Sequence, residues 1–251
     1  MAVEFYYVGA ATCLLNIDNC VKIGIDPALL PKDSEVNFKS FNSVRKNAPD
    51  VKEGIFDNID LWLITHSHED HLDRFGIDVI NQDSVVICES KNTADILNRK
   101  CKVLKWNNSY TFTKGDILVE IIAVPAYHAK NFLICKSVGK VNGYILKIKS
   151  GNTERNIYFT GDTVFSKKVV NAVSKPVDVM IANLGNVKGN SLIGPLTMNL
   201  KMLDRFIKII EPNVVVPVHI DDYSHYEMTR KQVTDAGYKI ISSGKWIRIL
   251  V

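Results

Sequence analysis

The 251-residue sequence predicts a mixed α/β (α+β) fold, two β-sheets covered by helices. Three observations carry that prediction. Short apolar runs that read as strands crowd the first part of each half of the chain. Stretches with helical spacing intersperse with them instead of alternating strictly. Turn-forming residues join several neighbouring runs closely enough for hairpins. A doubly wound parallel sheet would need strict strand–helix alternation, which this sequence lacks.

Residues 5–8, 12–17 and 21–25 read as three strands, with Asp18-Asn19 as the turn between the second and third and Asp26-Pro27 ending the third. From 29 to 57 the period breaks under Pro31, Pro49 and many Asn, Ser and Lys residues. A long surface loop is expected there, acting as a lid beside a pocket. Residues 61–64 and 85–88 are strands. Residues 93–98 form a helix that Ser90 or Asn92 can cap, and Val103-Leu104 begins a further strand. Lys114-Gly115-Asp116 turns the chain into 117–124, an almost continuous apolar run that suits a buried central strand. Residues 143–148 and 156–160 form a hairpin across Ser150-Gly151-Asn152, 166–173 a helix and 177–182 a strand. The stretch 184–195 is irregular, broken by Gly185, Gly189, Gly194 and Pro195. In 198–210, Leu200, Leu203, Phe206, Ile207 and Ile210 fall at helical spacing until Pro212 stops the helix. Residues 214–218 form a buried strand, 227–236 a helix closed by Gly237, and two short strands finish the chain.

A composition of 46% hydrophobic and 23% charged residues is ordinary for a globular protein, and one domain over residues 1–251 is expected. No apolar stretch approaches the roughly 20 residues of a membrane span, and the first residues lack signal-peptide features, so a cytoplasmic protein is expected. The five cysteines, Cys13, Cys20, Cys88, Cys101 and Cys135, are odd in number and scattered, which favours free thiols. A net charge of +4 admits an anionic substrate but is equally explained by scattered lysines. A nucleic-acid track of interleaved basic and aromatic residues is missing, so a nucleic-acid partner is not expected.

Chemistry concentrates in Thr65-His66-Ser67-His68-Glu69-Asp70-His71-Leu72-Asp73, which follows the apolar run 61–64 and holds three of the six histidines. Alternate residues of an extended segment point the same way, so His66 and His68 can share one metal ion. Asp70 and His71 lie past the bend, aimed at a second. Imidazoles with carboxylates suit Zn(II), Fe(II) or Mn(II). The competing reading is a polar loop that happens to be rich in histidine. His128, Asp162 and His219 each stand just past a predicted strand. Singly, each reads as well as a structural histidine or a plain turn at Gly161-Asp162-Thr163. Together they place candidate ligands at one sheet edge.

With that pattern the sequence resembles the metallo-β-lactamase fold superfamily, the match running through His66, His68, Asp70, His71, His128, Asp162 and His219, with Gly24-Ile25-Asp26-Pro27 similar to the family's early Asp motif. The resemblance implies an αββα four-layer sandwich with a di-metal centre at the open edge of the sheets. It assigns His66, His68, His128 and Asp162 to one ion, and Asp70, His71 and His219 to the other, with Asp162 bridging. Two divalent ions are expected, Zn(II) first, with Mn(II) or Fe(II) as alternatives. Histidine at His68, where the flavodiiron branch resembles His-x-Glu, argues against a redox role. Asp162, where several true β-lactamases carry cysteine, argues against an antibiotic substrate. Leu72-Asp73 departs from the thiolesterase branch, and no extra nuclease domain follows. The Asp-His-Leu-Asp form, Gly161-Asp162-Thr163 and Val216-Pro217-Val218-His219 look most like the compact branch containing L-ascorbate-6-phosphate lactonase. A homo-oligomer is implied by the family only.

The expected activity is metal-dependent hydrolysis, a hydroxide held by two ions attacking an ester, lactone or phosphodiester of a small molecule. A nuclease-like phosphodiesterase and a non-catalytic metal-stabilised binding protein are the alternatives. A purely structural zinc site closes with four ligands and needs no second set, which counts against the latter. Asp70 is the candidate for proton handling, and His225, in the loop after His219, for substrate binding or proton donation. Asp26 and Asp73 are candidate acceptors for ligand imidazole N–H groups, a strand-end cap being the equal alternative for Asp26. Tyr127 and Tyr223 are candidates for the pocket wall, with ordinary packing as the simpler reading. Arg45-Lys46 and Lys167-Lys168 read as solvated faces.

Overall fold

The structure is a computed structural model that describes residues 1–38, 41–130, 139–189 and 194–250. Its elements run β1 (Val3–Gly9), β2 (Thr12–Ile17), β3 (Val21–Ile25), β4 (Glu35–Asn37), β5 (Asn42–Val44), β6 (Leu61–Leu63), α1 (Arg74–Asp78), β7 (Val85–Cys88), α2 (Lys91–Leu97), β8 (Lys102–Val103), β9 (Ser109–Lys114), β10 (Ile117–Ala126), β11 (Val141–Ser150), β12 (Thr153–Phe159), α3 (Lys167–Ala172), β13 (Val179–Asn183), α4 (Leu200–Ile210), β14 (Val214–Val218), α5 (Arg230–Asp235) and β15 (Trp246–Leu250). A seven-stranded sheet has the order β15-β1-β2-β3-β6-β7-β8, and a six-stranded sheet the order β14-β13-β12-β11-β10-β9.

Strand alternation builds the layers. Phe5, Leu15, Ile23 and Leu63 of the first sheet meet Ile121, Leu146, Ile157 and Ile181 of the second in one buried core. Their strand neighbours face outward. Tyr6, Leu14, Trp62 and Val86 pack under Leu97 of α2. Ile145, Tyr158 and Met180 pack under Val169 of α3 and Leu203, Phe206 and Ile210 of α4. Both faces of the central strands are therefore dry, which is why these strands read as apolar runs. Burial of each such side chain stabilises the fold by roughly 1.5–3 kcal/mol. The result is the four-layer mixed α/β sandwich that was expected.

Local chemistry explains most boundaries. Asp18 and Asn19 both take positive φ (47° and 53°), as a tight hairpin turn requires. Ser90 caps α2, Ser166 caps α3 and Asn199 caps α4 through hydrogen bonds to backbone N–H groups. The last helix is shorter than read from the sequence. It starts at Arg230 because Thr229 and Gln232 form a capping box there.

Several expectations need correction. The 29–57 segment is not wholly irregular, since β4 and β5 form a small hairpin within it. Strand β9 and helix α1 were not foreseen, and the two closing strands are one, β15. Arg45, read as solvated, is fully buried. Its Nε donates to Asn47 O at 3.0 Å, its Nη1 donates to Ala28 O at 2.8 Å, and the guanidinium lies 5.4 Å from the Tyr223 ring centre. Lys46 does face solvent and pairs with Asp221 at 3.1 Å. Asp73 serves no imidazole. Its carboxylate accepts from Leu30 N at 2.6 Å and from Gly76 N at 2.8 Å, capping α1. Gly76 is needed in that short helix because a Cβ there would stand 1.6 Å from Pro27 O. Tyr223 is buried and Tyr127 packs on Trp106, so both take the packing role.

Cys13 and Cys88 are buried free thiols and Cys20 and Cys101 partly buried ones, while Cys135 lies outside the described residues. Among the described residues no helix is long and apolar enough to cross a membrane.

One topological feature positions the site. Strands β3, β6 and β7 pair in parallel in the first sheet, and β12, β13 and β14 do so in the second. Their carboxyl ends deliver Asp26 and Thr65-His66 on one side, and Asp162, Asn183 and His219 on the other. Crevices at the carboxyl ends of parallel strands are where open α/β sheets bind ligands.

Candidate metal centre

All six histidines of the chain meet at this edge. Donor atoms fall into two groups, His66, His68 and His128 in one and Asp70, His71, Asp162 and His219 in the other, each with its atoms within 4.8 Å of one another. All but His68 are buried, and His68 is half-buried. Asp162 touches both groups, with Oδ1 3.3 Å from His71 Nε2 and Oδ2 3.4 Å from His128 Nε2.

Hydrogen-bond roles show which nitrogens are left for a ligand. Carbonyl and carboxylate oxygens only accept. His128 Nδ1 must therefore donate to Leu196 O at 2.8 Å, and His71 Nδ1 to Asp26 Oδ2 at 2.7 Å. In the neutral rings this leaves both Nε2 atoms bare and turned into the site. Asp26 is held in turn by Thr65, whose N–H donates to Oδ1 at 2.7 Å and whose hydroxyl donates to Oδ2 at 2.6 Å. It thus both fixes a site imidazole and closes the end of β3.

The donor set fits divalent ions. His71 Nε2 lies 3.1 Å from His219 Nε2, and His66 Nε2 lies 3.0 Å from His68 Nδ1. Donors at about 2.0–2.1 Å from a shared tetrahedral ion stand about 3.3 Å apart, and these separations come close to that spacing. Among the described residues Asp70 Oδ1 is buried with no hydrogen-bond partner, while its Oδ2 accepts from Tyr226 Oη at 2.9 Å. Burial, reinforced by His71 and His68, holds His66 well below the usual histidine range, and burial with His128 brings His68 down to about 4. Burial would raise Asp162, but His219 and His71 hold it well below the usual carboxylate range. Burial would lower His71, but Asp162 and Asp26 hold it well above the usual histidine range, with a proton that a bound ion would displace. Neutral imidazoles beside ionised carboxylates are the forms that bind metal.

His219 itself is strained, with φ +62° in the left-handed region that non-glycine residues avoid. Room for its ring comes from Gly185, where a Cβ would approach His219 Nδ1 to 2.7 Å.

Sequence reading missed three residues here. Tyr226 Oη lies 2.7 Å from His219 Nε2, and Asn183 Nδ2 donates to Asp162 Oδ1 at 3.0 Å. Ser43 Oγ lies 2.6 Å from His225 Nδ1. Tyr226 adjoins His225 in the sequence and was within reach of the same loop argument. Asn183 and Ser43 had no sequence signal. His225 reaches the site, its Nε2 3.3 Å from Asp70 Oδ2, under the rings of Phe38 and Phe41.

Asp26→Asn replaces the acceptor at His71 Nδ1 by a carboxamide whose orientation is no longer dictated. It is expected to weaken metal affinity about 10–100-fold, as outer partners of ligand histidines do. Competition with a chromophoric chelator measures this, and unchanged affinity would count against the assignment.

Comparisons with known proteins place the fold and the family. The family model described as Beta-lactamase superfamily domain matches residues 37–220, and the chain belongs to that family. A UPF0173 metal-dependent hydrolase of Pyrococcus furiosus is 30% identical over 210 residues, 82% of this chain and 80% of that relative. Among solved structures, a possible metal-dependent hydrolase from Veillonella parvula superposes with TM-score 0.83 at 19% identity, over 98% of this chain and 99% of the other. An isothiocyanate hydrolase from Delia radicum gut bacteria gives TM-score 0.78 at 22% identity, over 97% and 98%. The chain is thus one of a family whose relatives are named metal-dependent hydrolases, with a His/Asp cluster able to hold metal.

Proposed function

We propose that the protein is a binuclear metal-dependent hydrolase that cleaves an ester, lactone or phosphodiester bond of a small molecule. The observation that carries this reading is the pair of adjacent donor groups joined through Asp162. His66, His68, His128 and Asp162 would hold one ion, and Asp70, His71, His219 and the shared Asp162 the other. Bound divalent ions, Zn(II) by this donor set with Mn(II) or Fe(II) as alternatives, would bring the ionisation of water toward neutral pH and polarise the oxygen of the bond to be cut. The chain's own groups orient the rest. Asp70, whose Oδ2 accepts from Tyr226 and faces His225 Nε2, is placed to hold and pass a proton at that oxygen. His225 is placed to donate a hydrogen bond there and to a substrate oxygen beside it. Phe38 and Phe41 stack at 5.0 Å over His225 and form an apolar wall that limits water on that side. Among the three bond types, the lactone is favoured by the sequence forms shared with the lactonase-containing branch.

Elemental analysis of protein purified without added metal, with turnover of a generic lactone, an aryl ester and a generic phosphodiester, tests the reading. About two ions per chain with turnover of any of the three is the expected result. One ion or none, with no turnover after Zn(II) or Mn(II) is restored, would sink it.

A further inference from the structure

We propose that Ser43, on β5, is a positioning residue that holds the His225 ring with Nδ1 against its hydroxyl and Nε2 turned to Asp70, so that the ring keeps the proton on Nε2. The proposal rests on the placement of His225 as a hydrogen-bond donor at the site and adds the device that keeps it in that orientation.

The two ring nitrogens of His225 face unlike partners. Nε2 lies 3.3 Å from Asp70 Oδ2, and Nδ1 lies 2.6 Å from Ser43 Oγ. An ionised carboxylate only accepts, so a bare Nε2 there would set lone pair against lone pair. A neutral ring that meets Asp70 favourably carries its proton on Nε2 and offers Nδ1 as an acceptor. Ser43 can then only donate to Nδ1.

The hydroxyls behind Ser43 agree with that direction. Ser43 Oγ lies 3.1 Å from Ser224 Oγ, which accepts the backbone N–H of Val44 at 2.9 Å. A backbone N–H only donates, so the chain starts with a donor and ends at Asp70 with an acceptor. Hydrogens that run from Val44 through Ser224 and Ser43 to the ring, and from the ring to Asp70, use every donor in it. Each link polarises the next in the same sense.

The surroundings keep this chain in place. Ser43 is 1% exposed, so solvent has little access to take over its contact. Ser224, one link further out, is exposed. The hairpin and the 221–226 segment are stitched by Ser224 N donating to Val44 O at 2.8 Å and by the β-bridge between Arg45 and Tyr223. Phe38, Phe41 and Tyr226 stand 4.8, 5.3 and 4.6 Å from the His225 ring centre and restrict its rotation. A hairpin in the 29–57 segment, outside both sheets, thereby sets the chemistry of a residue almost at the other end of the chain.

The test is the protonation pattern of His225 in Zn(II)-loaded protein labelled with 15N-histidine, read by long-range 1H–15N correlation at neutral pH. His225→Gln identifies the signals by their loss. Wild type is expected to show a protonated Nε2 and a bare Nδ1. Ser43→Ala is expected to lose that fixed pattern, Nδ1 becoming protonated or averaged, and Ser43→Thr, which keeps the hydroxyl, to restore it. On any substrate that is turned over, Ser43→Ala should lower kcat about tenfold, the low end for outer partners of site histidines, with KM little changed. Ser224→Ala, at an exposed position, should move the same signals less and in the same direction, and it serves if Ser43→Ala fails to fold. A wild-type ring protonated on Nδ1, or the wild-type pattern persisting in Ser43→Ala, or in Ser224→Ala where that variant stands in, would overturn the proposal. If the pattern shifts as expected while His225→Gln leaves turnover unchanged, Ser43 still positions the ring and the role given to His225 in the reaction is wrong.

Discussion

Asp162→Ala is expected to strip the site of most of its metal and to lower turnover at least about a thousandfold. Asp162 puts one carboxylate oxygen toward each donor group, Oδ1 toward His71 and Oδ2 toward His128. In the proposed two-ion arrangement its removal would take an anionic ligand from both ions at once and leave Asp70 as the only carboxylate among the donors. A loss of about 4 kcal/mol in transition-state stabilisation, within the several kcal/mol a metal supplies, is a thousandfold in rate. Asp162→Asn separates charge from shape. It keeps an oxygen to ligate and a group for Asn183 to meet, and should retain more metal than the alanine variant. Metal content and turnover are read on the same preparations. An Asp162→Ala protein that still holds about two ions per chain, as a two-metal centre does, would refute the shared-ligand arrangement.

Glu89→Gln is expected to make the protein more stable at pH 8 by roughly 2–3 kcal/mol while changing little near pH 5. Glu89 follows β7 at the same strand edge as Asp26 and His66, but its carboxyl turns away into the fold. Oε1 accepts from the hydroxyls of Ser90 and Thr93, and Oε2 is buried with no partner. Burial raises this group from 4.5 to about 7, with the two hydroxyls offsetting part of the rise. The unfolded chain loses the proton near 4.5 and the folded protein only near 7. Stability from this group is therefore complete below about pH 4.5 and is lost as pH rises through 7. At 1.36 kcal/mol per unit the whole effect is about 3 kcal/mol. A carboxamide keeps an acceptor for Ser90 and Thr93 and does not ionise. Denaturant unfolding of both proteins at pH 5.5 and pH 8 measures the difference. An equal difference at the two pH values would show that Glu89 does not titrate as described.

What the sequence disclosed follows from how locally each feature is encoded. Strands β2, β3, β7 and β14 were legible to the residue because apolar runs with turn or Pro punctuation at their ends leave little choice. Ligand candidates were legible because they cluster in one motif or stand just past such strands. Strand β9 was missed because its residues are exposed and polar apart from the half-buried Tyr110 and Phe112, the composition of an edge strand. Helix α1 has five residues around Gly76, and its cause is a tertiary contact with Pro27 that no local propensity carries. Arg45 was misplaced for a related reason. A charged residue in a polar segment is solvated by default, and only the fold brings Ala28 O, Asn47 O and the Tyr223 ring around it. Ser43 and Asn183 are ordinary residues brought to the site by neighbours more than 20 positions away in sequence.

The order of the first sheet also constrains how the protein is made. Strand β1 lies between β2, which follows it at once, and β15, which is synthesised after the other described strands. Until residues 246–250 leave the ribosome, the outer side of β1 presents unpaired N–H and C=O groups, an edge able to recruit another chain. Both donor groups can by then be assembled, since His219 and His225 precede β15. A nascent or truncated chain ending before Trp246 would thus carry the whole site together with an open, sticky margin. Pairing with β15 covers the seven-residue, buried β1 and moves the sheet edge to a shorter strand that carries Arg248 exposed at its centre, a charge of the kind that discourages edge-to-edge pairing.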